Sequence, residues 1–581
     1  MRTPLAHSAR KKYPPQTYEA HVRGVCERAG KYAAEAECYS VKANGILSTI
    51  VRDSALLHDL GKLEERNQSV LCEQSRRRRH LPVDHTDAGS AALQKMGNGC
   101  AAMLVYSHHQ GFPDLSTEFA ARGCSIFRNG NAEVRAETDA ALPALLRQHE
   151  ALFPRKPNKE VQAYDGDPAV FLRMALSCLA DADHGDTAAA FGQTEKAMPE
   201  LRPQERLAAL DHYVSKFGET DERSSLRREL YLSCRSAEAH SGFSVCGSPV
   251  GSGKTTAVMA HLLEQACKRN ARRIFVVLPY TSIIRQSVDI YRKALVLPGE
   301  TPEDVVAELH SRADFEDIET RYLTALWRAP IVVTTAVAFF ETLSSHNPAA
   351  LRRLHELPGS LIFVDEAHSA LPLRLLPLAW HWMNVLSDEW SCYWVLASGS
   401  LVRYWELQPL SGLSMPRPEI AELVRPDLQR ELSRYESNRI TFRWREKPIG
   451  RKELAEWVQE ALGPRLLILN TVQSAAVIAA DIAAEFGQTH VEHLSTALTP
   501  EDRGNTIDRI RRRLADPDDA DWTLVATSCV EAGVDFSFRT GFREISSLLS
   551  LLQAAGRVNR HGRNTEAVMW RQEISLTTKS S

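Results

Sequence analysis

Three groups of residues in this 581-residue chain have types and spacings that could do chemistry. The first is a glycine-rich loop, Ser248-Pro249-Val250-Gly251-Ser252-Gly253-Lys254-Thr255. Glycines let successive backbone N–H groups turn toward phosphate oxygens, and a helix starting behind them adds partial positive charge. Lys254 would reach the β- and γ-phosphates of ATP, and Thr255 would hold Mg²⁺. Ser248, Gly251, Ser252, Gly253 and Thr256 complete the cradle, with Ser248 standing where the simplest pattern has glycine.

The second group is Asp365-Glu366, which ends the apolar run Leu361 to Val364 and begins Asp-Glu-Ala-His. Carboxylates at the C-terminal end of a buried parallel strand lie at the sheet edge where ligands bind. Asp365 would hold Mg²⁺, and Glu366 would orient or activate the attacking water.

The third group mixes imidazoles with carboxylates. His58-Asp59 follows an amphipathic helical stretch and precedes Leu60-Gly61-Lys62; His85, His108-His109 and Asp183 come later, and His21 lies upstream. Such donor sets suit Mn²⁺, Fe²⁺, Ni²⁺, Co²⁺ or Zn²⁺ and suit Ca²⁺ poorly. Two metals about 4 Å apart would activate water and clamp a phosphodiester. Asp181 is an alternative ligand to Asp183. Lys62 would neutralise substrate phosphate, or hold a helix C-terminus. His7, His80 and His184 read as ordinary surface or satisfied core residues. Arg76 to Arg79 reads as an exposed loop, or as a phosphate-backbone contact beside the cluster.

These groups need elements to position them. Up to about Phe191 the apolar residues recur at three- and four-residue spacing, as in Ile46, Leu47, Ile50, Val51, Leu56, Leu57 and Leu60, which predicts helices. From Phe243 brief apolar runs alternate with amphipathic stretches. The runs are 274–278, 331–333, 361–364, 393–396, 466–469 and 522–526, and their alternation with helices predicts two α/β lobes with parallel sheets. Residues after the runs carry hydroxyls and amides suited to a nucleic-acid backbone without base choice: Thr281, Ser282, Thr335, Asn470, Thr471 and Thr527. Loop hydroxyls also serve as simple helix caps.

Bulk composition sets outer bounds. The net charge of −3 excludes a generally basic DNA-coating protein, so nucleic-acid binding must use local patches or a groove. The eleven cysteines contain no CxxC pair, which argues against a zinc ribbon or a disulfide framework. No apolar h-region or membrane-length run is seen, so the expected setting is cytoplasmic, with no membrane partner.

The order of the groups, with Gln553-Ala554-Ala555-Gly556-Arg557-Val558-Asn559-Arg560 after them, resembles the CRISPR-associated helicase-nuclease of type I systems, an HD nuclease fused to a superfamily 2 DEAH-type helicase. Leu226 to Glu229, Leu278 to Ile284 and Gly556 to Gly562 also look like that family. The resemblance implies an all-α HD-type metal phosphohydrolase domain over 1–195, a linker over 196–222, a first RecA-like lobe over 223–405, a linker over 406–437, and a second RecA-like lobe over 438–581. It implies that Gln553 contacts ATP and that Arg557 and Arg560 face the nucleotide from the second lobe. It also implies two divalent metals (Mn²⁺, Fe²⁺, Ni²⁺ or Co²⁺) or Mg²⁺ on His21, His58, Asp59, His85, His108, His109 and Asp183. Single-stranded DNA and an RNA-guided CRISPR surveillance complex are the implied partners, with 3′-to-5′ movement and sequence choice left to the guide. Family members usually continue past the arginine motif, so the second lobe is expected to be incomplete. Competing readings are a stand-alone DNA-repair translocase with a nucleotide phosphohydrolase domain, and a non-catalytic remnant.

Overall fold

The computed structural model describes the chain except residues 1–2, 11, 74–79, 159–162, 194–195, 250, 280, 310–326, 368–369, 400–402, 404–419, 532–533, 563, 565 and 576–581, and the side chains of 124, 281–283, 373 and 575. Arg76 to Arg79 and the side chains of Thr281 and Ser282 therefore lie outside the described residues. So do Val250, Tyr280, His368, Ser400, Ala532 and Gly533.

A short antiparallel pair, β1 (Leu5–His7) and β2 (Gln16–Thr17), opens the chain. Eight helices follow: α1 (Tyr18–Glu37), α2 (Ile46–Leu57), α3 (Glu65–Cys72), α4 (His85–Lys95), α5 (Gly99–Gln110), α6 (Leu115–Arg122), α7 (Ala132–Leu152) and α8 (Pro168–Ala190). Helix α2 spans the stretch that the spacing of Ile46, Leu47, Ile50 and Val51 predicts. Side-chain caps start several of them: Thr17, Asp84, Asn98 and Asp167 accept from backbone N–H groups of α1, α4, α5 and α8.

The expected linker 196–222 contains a helix, α9 (Pro203–Ser215). Its charged composition reads as solvated chain, yet Arg206 is fully buried and pairs with Glu300 at 2.8 Å. Helix α10 (Glu222–Ser236) leads into the first sheet. The strands are β3 (Phe243–Gly247), β4 (Ile274–Leu278), β5 (Val306–Leu309), β6 (Ile331–Thr335), β7 (Leu361–Asp365), β8 (Tyr393–Ser398) and β9 (Ala421–Glu422), in the order β5-β6-β4-β7-β8-β3-β9. Every pairing is parallel, so the strands' C-terminal ends share one edge. Helix α11 (Lys254–Arg269) follows β3 directly, starting at the lysine of the glycine-rich loop.

The second sheet is also parallel: β10 (Thr441–Trp444), β12 (Arg465–Ile468), β13 (Val491–Leu494), β14 (Thr523–Ala526), β15 (Thr540–Glu544) and β16 (Val568–Gln572), ordered β10-β16-β15-β12-β14-β13. A small parallel pair, β11 (Ile449–Gly450) and β17 (Ile574–Ser575), flanks it. The expected second linker, 406–437, yields β9 and a helix, Pro426–Arg439, among its described residues.

One apolar core joins the helical part to the first lobe, holding Val51, Leu57 and Leu176 together with Val364, Trp394 and Leu396. The opposite face of the first sheet has its own core, and so do the two faces of the second sheet. No helix among the described residues is long and apolar enough to cross a membrane.

Candidate functional site

The histidines and aspartates of the helical part come together from five helices. His21 is on α1, His58 caps the C-terminal end of α2 with Asp59 in the turn that follows, His85 opens α4, His108 and His109 lie in the last turn of α5, and Asp183 lies on α8. Two glycines permit the approach. A Cβ on Gly61 would fall 2.6 Å from the His85 carbonyl oxygen, and one on Gly89 would fall 2.0 Å from the Leu57 carbonyl oxygen. Asp84 caps α4 by accepting from Thr86 N at 3.0 Å, which sets His85 on the first turn.

His21 Nε2 lies 3.1 Å from Asp59 Oδ2 and 3.3 Å from Asp183 Oδ1. His58 Nε2 is 3.4 Å from Asp59 and 3.9 Å from Asp183, and His85 Nε2 is 3.7 Å from Asp59 Oδ1. Lys62 Nζ sits 2.6 Å from Asp59 Oδ2. Two groups with metal-ligand spacing result, Asp59-His85-His108-His109 and His21-His58-Asp59, and Asp59 belongs to both.

Backbone carbonyls orient the rings. His58 Nδ1 pairs with Ala55 O at 2.8 Å and His108 Nδ1 with Val105 O at 2.6 Å, which turns each Nε2 inward. Burial lowers His85 and His108 to about 4. Repulsion from His108, then burial, lowers His109 to about 3. Neutral imidazole is the form that donates to a metal. Burial works against the charged form of His21, but its bonds to Asp183, Asp186 and Asp59 outweigh it and raise the ring to about 10. His85 Nε2, His108 Nε2 and Asp59 Oδ1 are buried with no hydrogen-bond partner. Buried polar atoms are normally satisfied, so this donor set fits a divalent cation.

Asp181 does not join the cluster. It accepts from Arg328 at 2.7 Å and from Arg352 at 2.8 and 3.0 Å, on the face of α8 toward the first lobe. Asp186 was not anticipated. Its Oδ2 lies 2.7 Å from His21 Nδ1 and accepts from Gln16 Nε2 at 2.7 Å. His7, expected to be an ordinary residue, packs edge-on against His21 with centroids 4.7 Å apart and reaches Thr187 Oγ1 at 3.2 Å. His184 lies away from the ligand groups, in a cavity of about 210 Å³ lined with Arg10, Phe191 and Arg352.

At the edge of the first sheet, Lys254 Nζ is buried without a hydrogen-bond partner, and Glu366 Oε1 lies 3.8 Å away. Ser252 Oγ donates to Pro249 O at 2.8 Å and lies 3.0 Å from Ser248 Oγ. Thr256 Oγ1 donates to Gly253 O at 3.1 Å. Burial raises Asp365 to about 6; Lys254 opposes the rise and Glu366 adds to it. Ser398 Oγ, at the end of β8, donates to Glu366 Oε2 at 2.9 Å. Arg227, in the Leu226–Glu229 stretch, and Arg223, which the sequence did not single out, both donate to Gly251 O from α10, at 3.3 Å for Arg223 and at 2.8 Å through Arg227 Nη2.

The two arginines of the late motif part company. Arg557 is buried in the second lobe and donates to Val530 O at 3.0 Å and Glu531 O at 2.8 Å. Arg560 pairs with Asp535 at 2.6 Å and feels the charges of Arg227, Arg439 and Glu436, so it borders the cleft with the first lobe. Gln553 is half-buried on the helix before them, Leu548–Ala555. The hydroxyls expected to meet nucleic acid have local partners. Thr335 and Thr471 cap helices, accepting from Ala338 N at 3.1 Å and Ser474 N at 3.0 Å. Thr527 is buried beside Cys529. Asn470 donates to Ile545 O at 2.9 Å and accepts from Arg543 at 2.7 Å.

A family model described as CRISPR-associated nuclease/helicase Cas3, C-terminal, matches residues 462–563, and one described as DEAD/DEAH box helicase matches residues 236–375. The chain is similar to the Cas3 helicase-nucleases. A curated CRISPR-associated nuclease/helicase Cas3 of Haloferax volcanii is 24% identical over 55% of this chain and 45% of its own length. The chain thus spans about half the length of that Cas3 relative. A crystal structure of T. fusca Cas3 with ATP superposes with a TM-score of 0.63 at 18% identity, covering 99% of this chain and 76% of that one. A chain of a CRISPR RNA-guided surveillance complex, pre-nicking, gives 0.55 at 17% identity, covering 100% and 75%. At these identities the two solved structures share the Cas3 fold with this chain: two parallel-sheet lobes behind a mostly helical part.

Proposed function

We propose that this chain is a CRISPR-linked, ATP-driven DNA helicase or translocase joined to a metal-dependent single-strand DNA endonuclease. The helical part, residues 1–195, is the HD-type phosphohydrolase domain; the motor lobes occupy 223–405 and 438–581. One observation carries the reading. Six donor residues form two ligand groups that share Asp59, with His85 Nε2 and His108 Nε2 buried and without hydrogen-bond partners, in the same chain as a phosphate loop whose buried lysine lies 3.8 Å from Glu366.

His21, His58, Asp59, His85, His108, His109 and Asp183 would hold two divalent metals, with Asp59 shared between them. Bound metals supply water activation and charge neutralisation at a phosphodiester. Ala55 and Val105 fix the donating ring nitrogens of His58 and His108, and Lys62 offsets the Asp59 charge. In the cleft, Lys254 binds the β- and γ-phosphates and Asp365 holds Mg²⁺. Glu366, oriented by Ser398, positions water, and Arg560 offsets charge on the transferred phosphoryl group. The likeness to a chain of a surveillance complex supports recruitment by such a complex; 3′-to-5′ movement on the opened strand is what the family resemblance implies.

The test is digestion of circular single-stranded DNA with Mn²⁺ or Ni²⁺, with and without ATP, beside a His58→Ala/Asp59→Ala variant. ATP-independent cutting that the variant loses is the expected result. No cutting by folded, metal-loaded protein overturns the nuclease half of the reading.

A further inference from the structure

The chain that crosses from the first lobe to the second runs directly beside the phosphate loop. Strand β9 pairs with β3 in parallel, and Leu423 N donates to Val245 O at 2.8 Å. The next residues grip the point where β3 becomes the loop. Glu422 Oε1 accepts from Gly247 N at 3.0 Å, and Gln429 Nε2 donates to Gly247 O at 3.1 Å. Both backbone groups of Gly247 are therefore held by side chains from the crossing segment. A Cβ at 247 would lie 3.0 Å from Gln429 Nε2 and 3.3 Å from Glu422 Oε2, so a larger residue would push on both side chains of the grip.

Gln429 belongs to the helix Pro426–Arg439. Leu428 and Leu432, one turn apart, are buried in a core of the first lobe. The far end of the same helix is tied to the second lobe. Arg439 donates to Val558 O, and Asn559 Nδ2 donates to Arg439 O at 2.9 Å. Val558 and Asn559 lie between Arg557 and Arg560 in the arginine motif. Ten residues, about 15 Å of helix, thus separate Gln429, at the start of the phosphate loop, from Arg439, at the arginine motif.

We propose that this helix is a strut that sets the arginine motif relative to the phosphate loop, with Glu422, Gln429 and Arg439 as positioning residues. None of the three need touch the nucleotide. The inference rests on the reading of the cleft as an ATPase. A packed helix fixed at both ends transmits displacement rather than absorbing it.

The experiment measures steady-state ATP turnover and separate nucleotide binding for the full chain, with and without single-stranded DNA. Arg439→Lys keeps the charge and loses the forked donor, and Gln429→Ala cuts the other end. Arg439→Lys is expected to lower kcat roughly 10- to 100-fold with nucleotide Kd nearly unchanged, because orientation fails while phosphate contacts survive. Gln429→Ala is expected to weaken nucleotide binding several-fold, and Glu422→Gln to restore much of what Glu422→Ala loses, since its amide oxygen still accepts from Gly247. The double variant Gln429→Ala/Arg439→Lys is expected to cost little more in kcat than the worse single change. Folded variants with unchanged kcat, or a double variant whose losses simply multiply, overturn the strut. An unsubstituted chain that neither binds nor hydrolyses ATP overturns the ATPase reading instead.

Discussion

In the helical part, donor atoms brought together by several helices form two groups that share Asp59, each with its ligand atoms within 4.8 Å of one another, against one apolar core. In the cleft, Lys254 sits on the first lobe and Arg560 on the second, and the helix Pro426–Arg439 runs between the lobes, with Arg439 bonded to Val558 O. The first arrangement is complete within one packed body. The second is assembled between two bodies. A site of the first kind fails through loss of a ligand or its support, and one of the second kind also fails through misplacement of an intact residue.

The contrast breaks most visibly at the arginines. Arg560→Ala is expected to lower ATP turnover about 10³-fold, as loss of an arginine finger does, while leaving the melting curve in place. Arg557→Ala should do the reverse: it strips donors from two carbonyl groups and costs about 3 kcal/mol of stability. ATPase assays and thermal melts on both variants separate the roles; equal turnover losses with equal melting would refute the division.

On α8, Asp181→Ala leaves Arg328 and Arg352 without their shared buried carboxylate. It is expected to destabilise the join between the helical part and the first lobe by about 3 kcal/mol, read by chemical denaturation. Metal affinity in the same variant should stay near that of the unsubstituted chain. Asp186→Asn should behave oppositely, weakening Mn²⁺ binding about 10- to 100-fold by calorimetry while stability changes little, because Asp186 orients His21 from behind. Unchanged metal affinity would assign Asp186 a purely structural role.

The smallest effect is a pH response outside both sites. His261 of α11 is fully buried between Cys234 O at 3.0 Å and the Tyr393 hydroxyl at 2.7 Å, and burial lowers it to about 4. The unfolded chain takes up this proton near the ordinary value and the folded one resists until about 4. Stability of the first lobe is therefore full above the ordinary histidine range and falls as pH descends, by roughly 1 kcal/mol per unit. His261→Gln should flatten that slope in urea titrations, and an unaltered slope would place the titration elsewhere.

Strands β4, β6, β7 and β8 of the first lobe were legible because they are buried on both faces and read as unbroken apolar runs, whereas β5, with Glu308, and the half-buried β9 do not. In the second lobe only β12 and β14 have that texture. Strand β10 is exposed along its length, and β16 mixes Trp570 with Arg571, so neither looks like a buried strand. The aspartate choice was legible in principle. Residues 181 and 183 point to opposite sides of a helix, whereas 183 and 186 share one, so Asp183 and Asp186 form a pair that excludes Asp181. No spacing reveals Glu422, Gln429 or Arg223, because each acts on a backbone group brought near only by the folded sheet. The hydroxyls of Thr335 and Thr471 were visible as residues, but their capping bonds depend on where the helices begin.

Helix α8 also limits what evolution or the bench can do with this chain. One face supplies Asp183 and Asp186 to the cluster; the other supplies Asp181 and Ser177 to Arg328, Arg352 and His355 of the first lobe. A gene fragment encoding only the helical part would display a bare apolar seam and a stranded buried carboxylate, the marks by which proteases and chaperones single out a polypeptide for disposal. Swapping a foreign motor behind this helical part would succeed only where the newcomer offers arginines at matching places.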